Sequence, residues 1–201
     1  MLKETVGAQY YAFNKPDASG NFDLTSYEDT IKTEVVKKIG TTENGDPVNV
    51  RASGKDYANF HQLSSTDLAV EVVAFPSDDL AKMRGETVNT NGLVSSGGTK
   101  ERPSLSHCKV VNLVRRKIRM DSFPKCQLVE NTDDIETSSD SFSEQNDTVT
   151  IRAYAFNDNG DVKNYVDSSR TDFPEGLTED KFFAKPIVSA ADLDKIISPG
   201  A

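Results

Sequence analysis

Short runs in which apolar and polar side chains alternate are the feature of this sequence that most restricts its fold. Residues 147–156 form the clearest run. An extended strand would place Val149, Ile151 and Ala153 together on one face, with polar side chains on the other. Further strand-like runs occupy residues 8–13, 34–39, 48–51, 68–75, 108–120, 124–129 and 161–166. So many short strands predict a mainly β protein, built as a β-sandwich or a partly open barrel.

Asparagine–glycine pairs mark turns between these runs, because glycine and asparagine accept the positive φ that tight hairpins need. They lie at residues 44–45, 91–92 and 159–160. The pair at 159–160 predicts that residues 161–166 fold back onto the strand at 147–156. Residues 131–146 are rich in Asp, Glu, Ser and Thr. We expect a long acidic loop or an extended hairpin tip there.

The stretch from Ser77 to Gly85 carries the start and stop signals of a helix. Ser77 favours an N-cap, two aspartates follow at the positive end of the helix dipole, and Gly85 favours a left-handed C-cap. Leu80 and Met83, three residues apart, would hold this flanking helix against the sheet. A weaker pattern predicts a second short helix at residues 190–197.

The charge of the chain limits its partners. It has 32 acidic and 23 basic residues and a formal net charge of −9. This balance argues against nonspecific nucleic-acid binding, which needs cations to neutralise phosphates. The basic residues cluster at Lys109, Arg115, Arg116, Lys117 and Arg119. We expect this cluster to face an acidic surface of a neighbouring subunit, with a nucleic-acid strip as the alternative.

The apolar content is modest. Hydrophobic residues make up 36% of the 201 residues, and the mean hydropathy is −0.53. We therefore expect extended arms, polar loops or surfaces that another copy covers. The sequence has no apolar run near 18 residues and no signal-peptide stretch at its start, so we expect neither a membrane span nor export.

The sequence offers little for catalysis or metal binding. Its histidines are His61 and His107. His107 and Cys108 would point to opposite faces of a strand, so they would not meet as base and nucleophile. Cys108 and Cys126 with two distant histidines lack the spacing of a zinc site, and we expect free thiols. Residues 158–161 resemble part of a calcium loop but fit a hairpin turn better. We predict no enzymatic activity, no cofactor and no metal.

Three consecutive stretches resemble a known family. Residues 48–57 (VNVRASGKDY) read as a strand with a small-residue turn, and residues 65–75 (STDLAVEVVAF) as an apolar strand. Residues 76–85 (PSDDLAKMRG) read as a proline-started helix that ends in glycine. In this order they resemble the major tail proteins of siphophages infecting Gram-positive bacteria. The resemblance extends over residues 5–166, but residues 104–122 lack the glycine and tyrosines of the family's aromatic hairpin.

This resemblance implies a β-sandwich with a flanking helix that assembles as stacked hexameric rings, a tail tube. DNA would pass through its lumen without specific binding. The implied partners are other copies of the chain and the tape measure, tail terminator and distal tail proteins. The implied location is the tail of the virion, after assembly in the host cytoplasm. Residues 1–166 would be the tail-tube domain and residues 167–201 a C-terminal arm.

On this interpretation, residues 33–40 and 48–54 and one later strand pair line an acidic inner wall. The expected subunit-contact residues lie on these strands and on the arm: Val35, Val36, Ile39, Val48, Val50, Phe173, Phe182 and Phe183. For the arm, an independently folded piece is the alternative. For the function, the alternative is a phage β-sandwich module that binds carbohydrate or a receptor, or decorates the particle. Such a module should present an aromatic platform, whereas the chain has no tryptophan and its tyrosines are scattered.

Overall fold

The structure is a computed structural model that describes residues 2–61, 63–98, 100–132, 135, 137 and 145–198. Most of the predicted acidic loop at 131–146 therefore lies outside the described residues. Strands β1 to β12 are Lys3–Phe13, Ile31–Thr33, Val36–Asn44, Pro47–Ala52, Lys55–His61, Ser65–Val72, Thr87–Val88, Val94–Ser95, Leu105–Leu113, Lys117–Thr132, Asp147–Tyr154 and Asn164–Asp167. Helices α1 to α3 are Ser77–Arg84, Glu179–Phe183 and Ala190–Ile197.

A large antiparallel sheet organises these elements. Its strands follow the order β2–β1–β9–β10–β11–β6–β3, and β12 pairs with β10. The long β10 pairs with β12 through its first half and with β11 through its second half. The sheet curls until β1, which is next to one end of the strand order, and β3, which is at the other end, line one cleft. The mainly β, partly open barrel with a flanking helix is therefore confirmed.

The main hydrophobic core fills the inside of this curl. Tyr11, Leu68 and Phe123 are completely buried there. In β11 the predicted alternation is confirmed, because Val149, Ile151 and Ala153 are all buried in this core. The strand pattern thus fixed the inward face correctly for this central strand.

Helix α1 closes one side of this core, with Met83 buried in it. Gly85 ends the helix in the left-handed region at φ 68°, as predicted, and a Cβ there would lie 2.8 Å from the carbonyl oxygen of Glu101. The predicted N-cap was wrong. Pro76 is the N-cap residue, with φ −55° and ψ 130°, and Ser77 is already helical, with no side-chain capping hydrogen bond. The N-cap needs a non-helical, extended ψ, and Pro76 supplies it in place of Ser77.

The C-terminal arm covers the outer face of β1, β9 and β10. There a second core joins Tyr10, Cys108, Val110 and Met120 to Leu177, Phe182, Phe183 and Ile187. The rings of Tyr10 and Phe183 stack with centroids 4.4 Å apart. Because the main core covers one face of β9 and the arm covers the other, β9 is buried along nearly its whole length. This two-sided burial explains why its sequence does not alternate.

The run at 108–120, predicted as one strand, is a hairpin. β9 ends at Leu113, a short 3₁₀ turn follows, and β10 begins at Lys117. Arg115 (φ 65°) and Arg116 (φ 56°) reverse the chain in the left-handed region. The prediction was wrong because the turn contains no glycine or asparagine, the residues that usually signal a positive φ.

Replacing Arg116 with glycine is expected to raise the free energy of unfolding by about 0.5–1 kcal/mol, because glycine avoids the steric cost of a Cβ at positive φ. Urea denaturation measures the change. Lys117→Gly is the matched control, since Lys117 has φ −91° and glycine there only adds freedom to the unfolded chain. If both variants lose stability, the left-handed turn is not strained.

Residues 161–166 do not fold back onto the strand at 147–156. The turn itself forms, with the Phe156 N–H donating to the Asp161 carbonyl at 2.9 Å. The chain then continues into β12, which pairs with β10. The predicted pairing was wrong because β10 and β6 already occupy the two edges of β11.

Candidate assembly surface

Among the strand edges of the large sheet that lack a ladder partner within the described residues, two face each other. β1 pairs with β9 along one side, but β2 covers its other side only at residues 9–11. Residues 3–8 therefore keep one open edge. At the far end of the sheet, β3 pairs in the described chain only with β6. Open N–H and C=O groups on such edges favour the addition of a strand from another chain.

A cleft of about 740 Å³ lies between these two edges. Charged side chains from several elements line it: the cations Lys3, Lys109, Arg119 and Lys163 and the anions Glu4, Glu43 and Asp121. Cations therefore outnumber anions in the cleft, although the chain as a whole has a net charge of −9. The cleft is a locally positive site on an acidic protein.

A buried ion cluster forms the floor of the cleft. Lys109, 5% exposed, donates to the hydroxyl of Thr41 on β3, and its Nζ lies 3.9 Å from Asp121 Oδ2. Asp121, 2% exposed, accepts two hydrogen bonds from Arg119, at 2.8 Å from Nε and 2.9 Å from Nη2. The carboxylate beside Lys109 is thus already bound by Arg119. Lys109 and Arg119 of the basic cluster thus have an anion within their own chain, and the expectation that the cluster faces an acidic surface of a neighbouring subunit stays a prediction.

The environment of Lys109 disfavours its charged form. Burial lowers the pKa of this amine to about 8, against the opposing attraction of Asp121. The positive charges of Arg119, Lys163 and Lys3 lower it further. Lys109 is therefore a cation whose charge is only partly compensated.

His107 lies two residues away on the same face of β9. It is 1% exposed, and its Nε2 donates to Gln9 Oε1 at 3.1 Å. Its Nδ1 is buried without a hydrogen-bond partner among the described residues. Burial, and secondarily the charge of Lys109, lower the pKa of His107 to about 3. The imidazole is therefore neutral at physiological pH.

Strands β4 and β5 form a separate two-stranded hairpin between β3 and β6. Ser53 (φ 53°) and Gly54 (φ 74°) make its turn, which agrees with the predicted small-residue turn. Val50 is 40% exposed and Tyr57 is 79% exposed. A two-stranded hairpin has no core of its own, so exposed apolar groups on it are suited to contact another surface.

The predicted contact residues on the strands fall in different environments. Val35 was predicted to lie within a strand at residues 34–39, but it precedes β3, which starts at Val36, and it is 45% exposed. Val36 and Ile39 are half-buried against the main core, and Ile39 also lines the cleft. Val50 lies on the exposed hairpin. Val48 belongs to β4, and its side chain lies outside the described residues.

The predicted contact residues on the arm contact the chain's own sheet. Phe182 and Phe183 are 1% and 3% exposed in the second core, and Phe173 is half-buried against it. In this conformation they do not reach a neighbouring subunit. A role between subunits would require the arm to leave the sheet, and it stays a prediction.

The reactive residue types are poorly placed for chemistry. His107 points towards Gln9, whereas Cys108 points into the second core. Burial raises the pKa of the Cys108 thiol to about 12 and that of Cys126 well above its ordinary value. Such thiols are weak nucleophiles. Within the described ranges, no group of three or more His, Cys, Asp or Glu side chains is arranged to hold a metal ion. No described helix has the length and apolar character needed to cross a bilayer.

The chain shows only a weak structural likeness to known proteins. No protein-family model matches the chain, and no curated protein sequence matches it. Among solved structures, the chain is similar to a chain of the anti-feeding prophage baseplate, determined by cryo-EM with 6-fold symmetrisation. The TM-score is 0.44 and the identity is 9%, over 83% of this chain and 95% of that chain. A likeness this weak establishes neither a shared fold nor a shared function.

Proposed function

We propose that this chain is a structural virion protein that polymerises as stacked hexameric rings to form a phage tail tube, which conducts DNA into the host. The observation that supports the proposal is the pair of open strand edges on β1 and β3. A folded chain with such edges is an incomplete sheet, and strands from sister copies can complete it. Closure into a ring would then leave no free edge.

The exposed hairpin gives the assembly a second contact. Val50 and Tyr57 present apolar surface that the described chain does not cover. Subunit contact would remove this surface from water, at about 25 cal/mol per Å² of apolar area. This also accounts for the modest apolar content of the chain, since part of its hydrophobic surface would be buried only between copies.

The charge of the chain suits a DNA conduit. The chain has a net charge of −9, and in this proposal carboxylates line the inner wall, so that duplex DNA slides without phosphate contacts. Screening limits this repulsion to about 8 Å at physiological salt, so only carboxylates on the wall contribute. In this proposal the other partners are the tape measure, tail terminator and distal tail proteins. The protein acts without enzymatic activity, cofactor or metal.

Electron microscopy of the purified chain over a range of concentrations and salt conditions tests the proposal. Rings or tubes with a uniform bore and six-fold symmetry would support it. Dispersed monomers under all conditions would contradict it, and so would a bore lined by cations.

Replacing Val50 and Tyr57 together with aspartate is expected to abolish ring or tube formation while leaving the thermal midpoint of the monomer nearly unchanged, because both side chains are exposed. Sedimentation velocity and thermal melts measure the two effects. Val88→Asp is the matched control, since Val88 is 54% exposed on the separate β7–β8 hairpin. Equal loss of assembly in both variants would argue against a specific role of the β4–β5 hairpin.

A further inference from the structure

We propose that the cleft between β1 and β3 binds a carboxylate, which an acidic side chain on an extended segment of a second copy of this chain supplies. This inference rests on the proposed function, because it names the group through which one copy engages the next. It concerns the ion cluster on the cleft floor, which the fold of a single chain leaves incompletely paired.

The buried charges on the cleft floor are unequally paired. Arg119 binds both oxygens of Asp121 at 2.8 and 2.9 Å, whereas Lys109 lies 3.9 Å from the same carboxylate. A buried ammonium needs a close counter-charge to offset the loss of hydration. An incoming carboxylate would give Lys109 its own partner without displacing Arg119.

The backbone around the cleft can also bind an extended segment. The open edge of β1 at residues 3–8 and the edge of β3 lie on its two sides. An extended segment that lies along one of these edges at the mouth of the cleft can make ladder hydrogen bonds with that edge while its alternate side chains point to the floor. The opening has a volume of about 740 Å³, which leaves room for side chains of such a segment.

The cleft and the rest of the chain have complementary charge, so one copy can attract another. The cleft has more cations than anions in a chain with 32 acidic residues and a net charge of −9. Acidic side chains on a second copy are therefore abundant, and the cleft is a positive site that attracts them. This choice favours a second copy over a nucleic acid, whose phosphates the rest of the surface repels.

Assembly should then depend on the protonation of Lys109. The charged groups that face it come from every neighbouring element: Lys3 and Glu4 on β1, Glu43 on β3, Arg119 and Asp121 on β10, and Lys163 before β12. Burial lowers the pKa of Lys109 to about 8, so its charge is largely lost at about pH 9.5. An arginine at this position would keep its charge there.

The experiment compares assembly of the full-length wild type with that of Lys109→Met and Lys109→Arg by sedimentation velocity at neutral pH and at about pH 9.5. We expect the wild-type association constant to fall by about tenfold on raising the pH, a change of about 1.4 kcal/mol. Lys109→Met should be weak at both pH values, and Lys109→Arg should remain strong at both. Lys195→Met, on the exposed face of α3, is the matched control and should behave as wild type. Thermal melts verify that each variant is folded.

The possible failures are distinguishable. Rings that assemble equally well in Lys109→Met and at high pH would overturn the carboxylate site and leave the proposed function standing. A chain that never assembles would overturn the proposed function itself. A further arm adds sodium propionate, with sodium chloride at the same ionic strength as control, and follows the Lys109 side chain by NMR. Propionate that binds beside Lys109 should lower the association constant relative to chloride, because it competes with the second copy. Binding of propionate without any weakening of assembly would overturn the second copy as the source of the carboxylate.

Discussion

Replacing Asp121 with alanine is expected to lower the free energy of unfolding by about 3–5 kcal/mol, because the change leaves two cations without their shared anion. Lys109 is buried and Arg119 is largely covered, and both lie against this carboxylate. Without it, the ammonium and the guanidinium would repel each other in a site with little water. Urea denaturation followed by circular dichroism measures the loss.

The chain contains a matched control for this substitution. Arg170 and Asp172 have the same sequence spacing and the same two hydrogen bonds, at 2.8 and 2.7 Å, but their side chains are 60% and 63% exposed. Water screens this pair, so Asp172→Ala should change stability little. Adding Lys109→Met to Asp121→Ala should recover part of the loss, since it removes one unpaired charge. Equal costs for the two aspartates would contradict the buried cluster.

Local sequence signals predicted the elements whose environment is itself local. β11 alternates because one face is buried and the other is not, and α1 ends where Gly85 adopts a left-handed conformation. Periodicity and capping chemistry are properties of a few adjacent residues, so they can be read without knowledge of the fold.

Elements that depend on distant residues were predicted poorly. β9 is buried on both faces because the C-terminal arm packs on it. The pattern of apolar and polar residues in β9 does not predict that contact. The turn after β9 uses two exposed arginines at positive φ. The pairing of β9 with β10 closes this turn, since arginine itself has no preference for that region. Residues 161–166 were assigned to the wrong neighbour because the sheet order was unknown.

The candidate site could not be predicted either, because it also depends on how distant residues pair. Lys109 and Asp121 face each other only because β9 and β10 form a hairpin with these residues in register. When residues 108–120 are taken as one strand, that register does not exist, and the lysine is grouped with the exposed arginines. A lysine inside an otherwise apolar run was the available signal, since such a residue is buried only with a partner.

The sheet order also decides which edges stay open. The sequence predicted strands with unfinished edges, but it could not identify them. β2 pairs with only three residues of β1, and β3 pairs with β6 alone among the described strands. Both resulting open edges lie at the cleft. The open edges therefore lie beside the ion cluster, and a second copy could find backbone hydrogen-bonding groups and an incompletely paired positive charge at the same site.

The other buried titratable group near this site gives the last prediction. Stability is expected to fall as the pH is lowered from about 6.5, because His107 has a pKa of about 3 in the folded chain and 6.5 as its ordinary value. Between these pH values the unfolded chain binds a proton at His107 that the folded chain excludes. The free energy of unfolding therefore has its full value above pH 6.5 and decreases as the pH falls below it. The loss at pH 4.5 is about 2–3 kcal/mol, or about 1.4 kcal/mol per pH unit. His107→Gln, which keeps a hydrogen-bonding group beside Gln9, should remove this slope, whereas His61→Gln takes away the other imidazole and should retain it. Urea denaturation of the wild type and the two variants between pH 4.5 and 7 measures the free energy of unfolding against pH. If His107→Gln keeps the wild-type slope, the imidazole is not held neutral in the core.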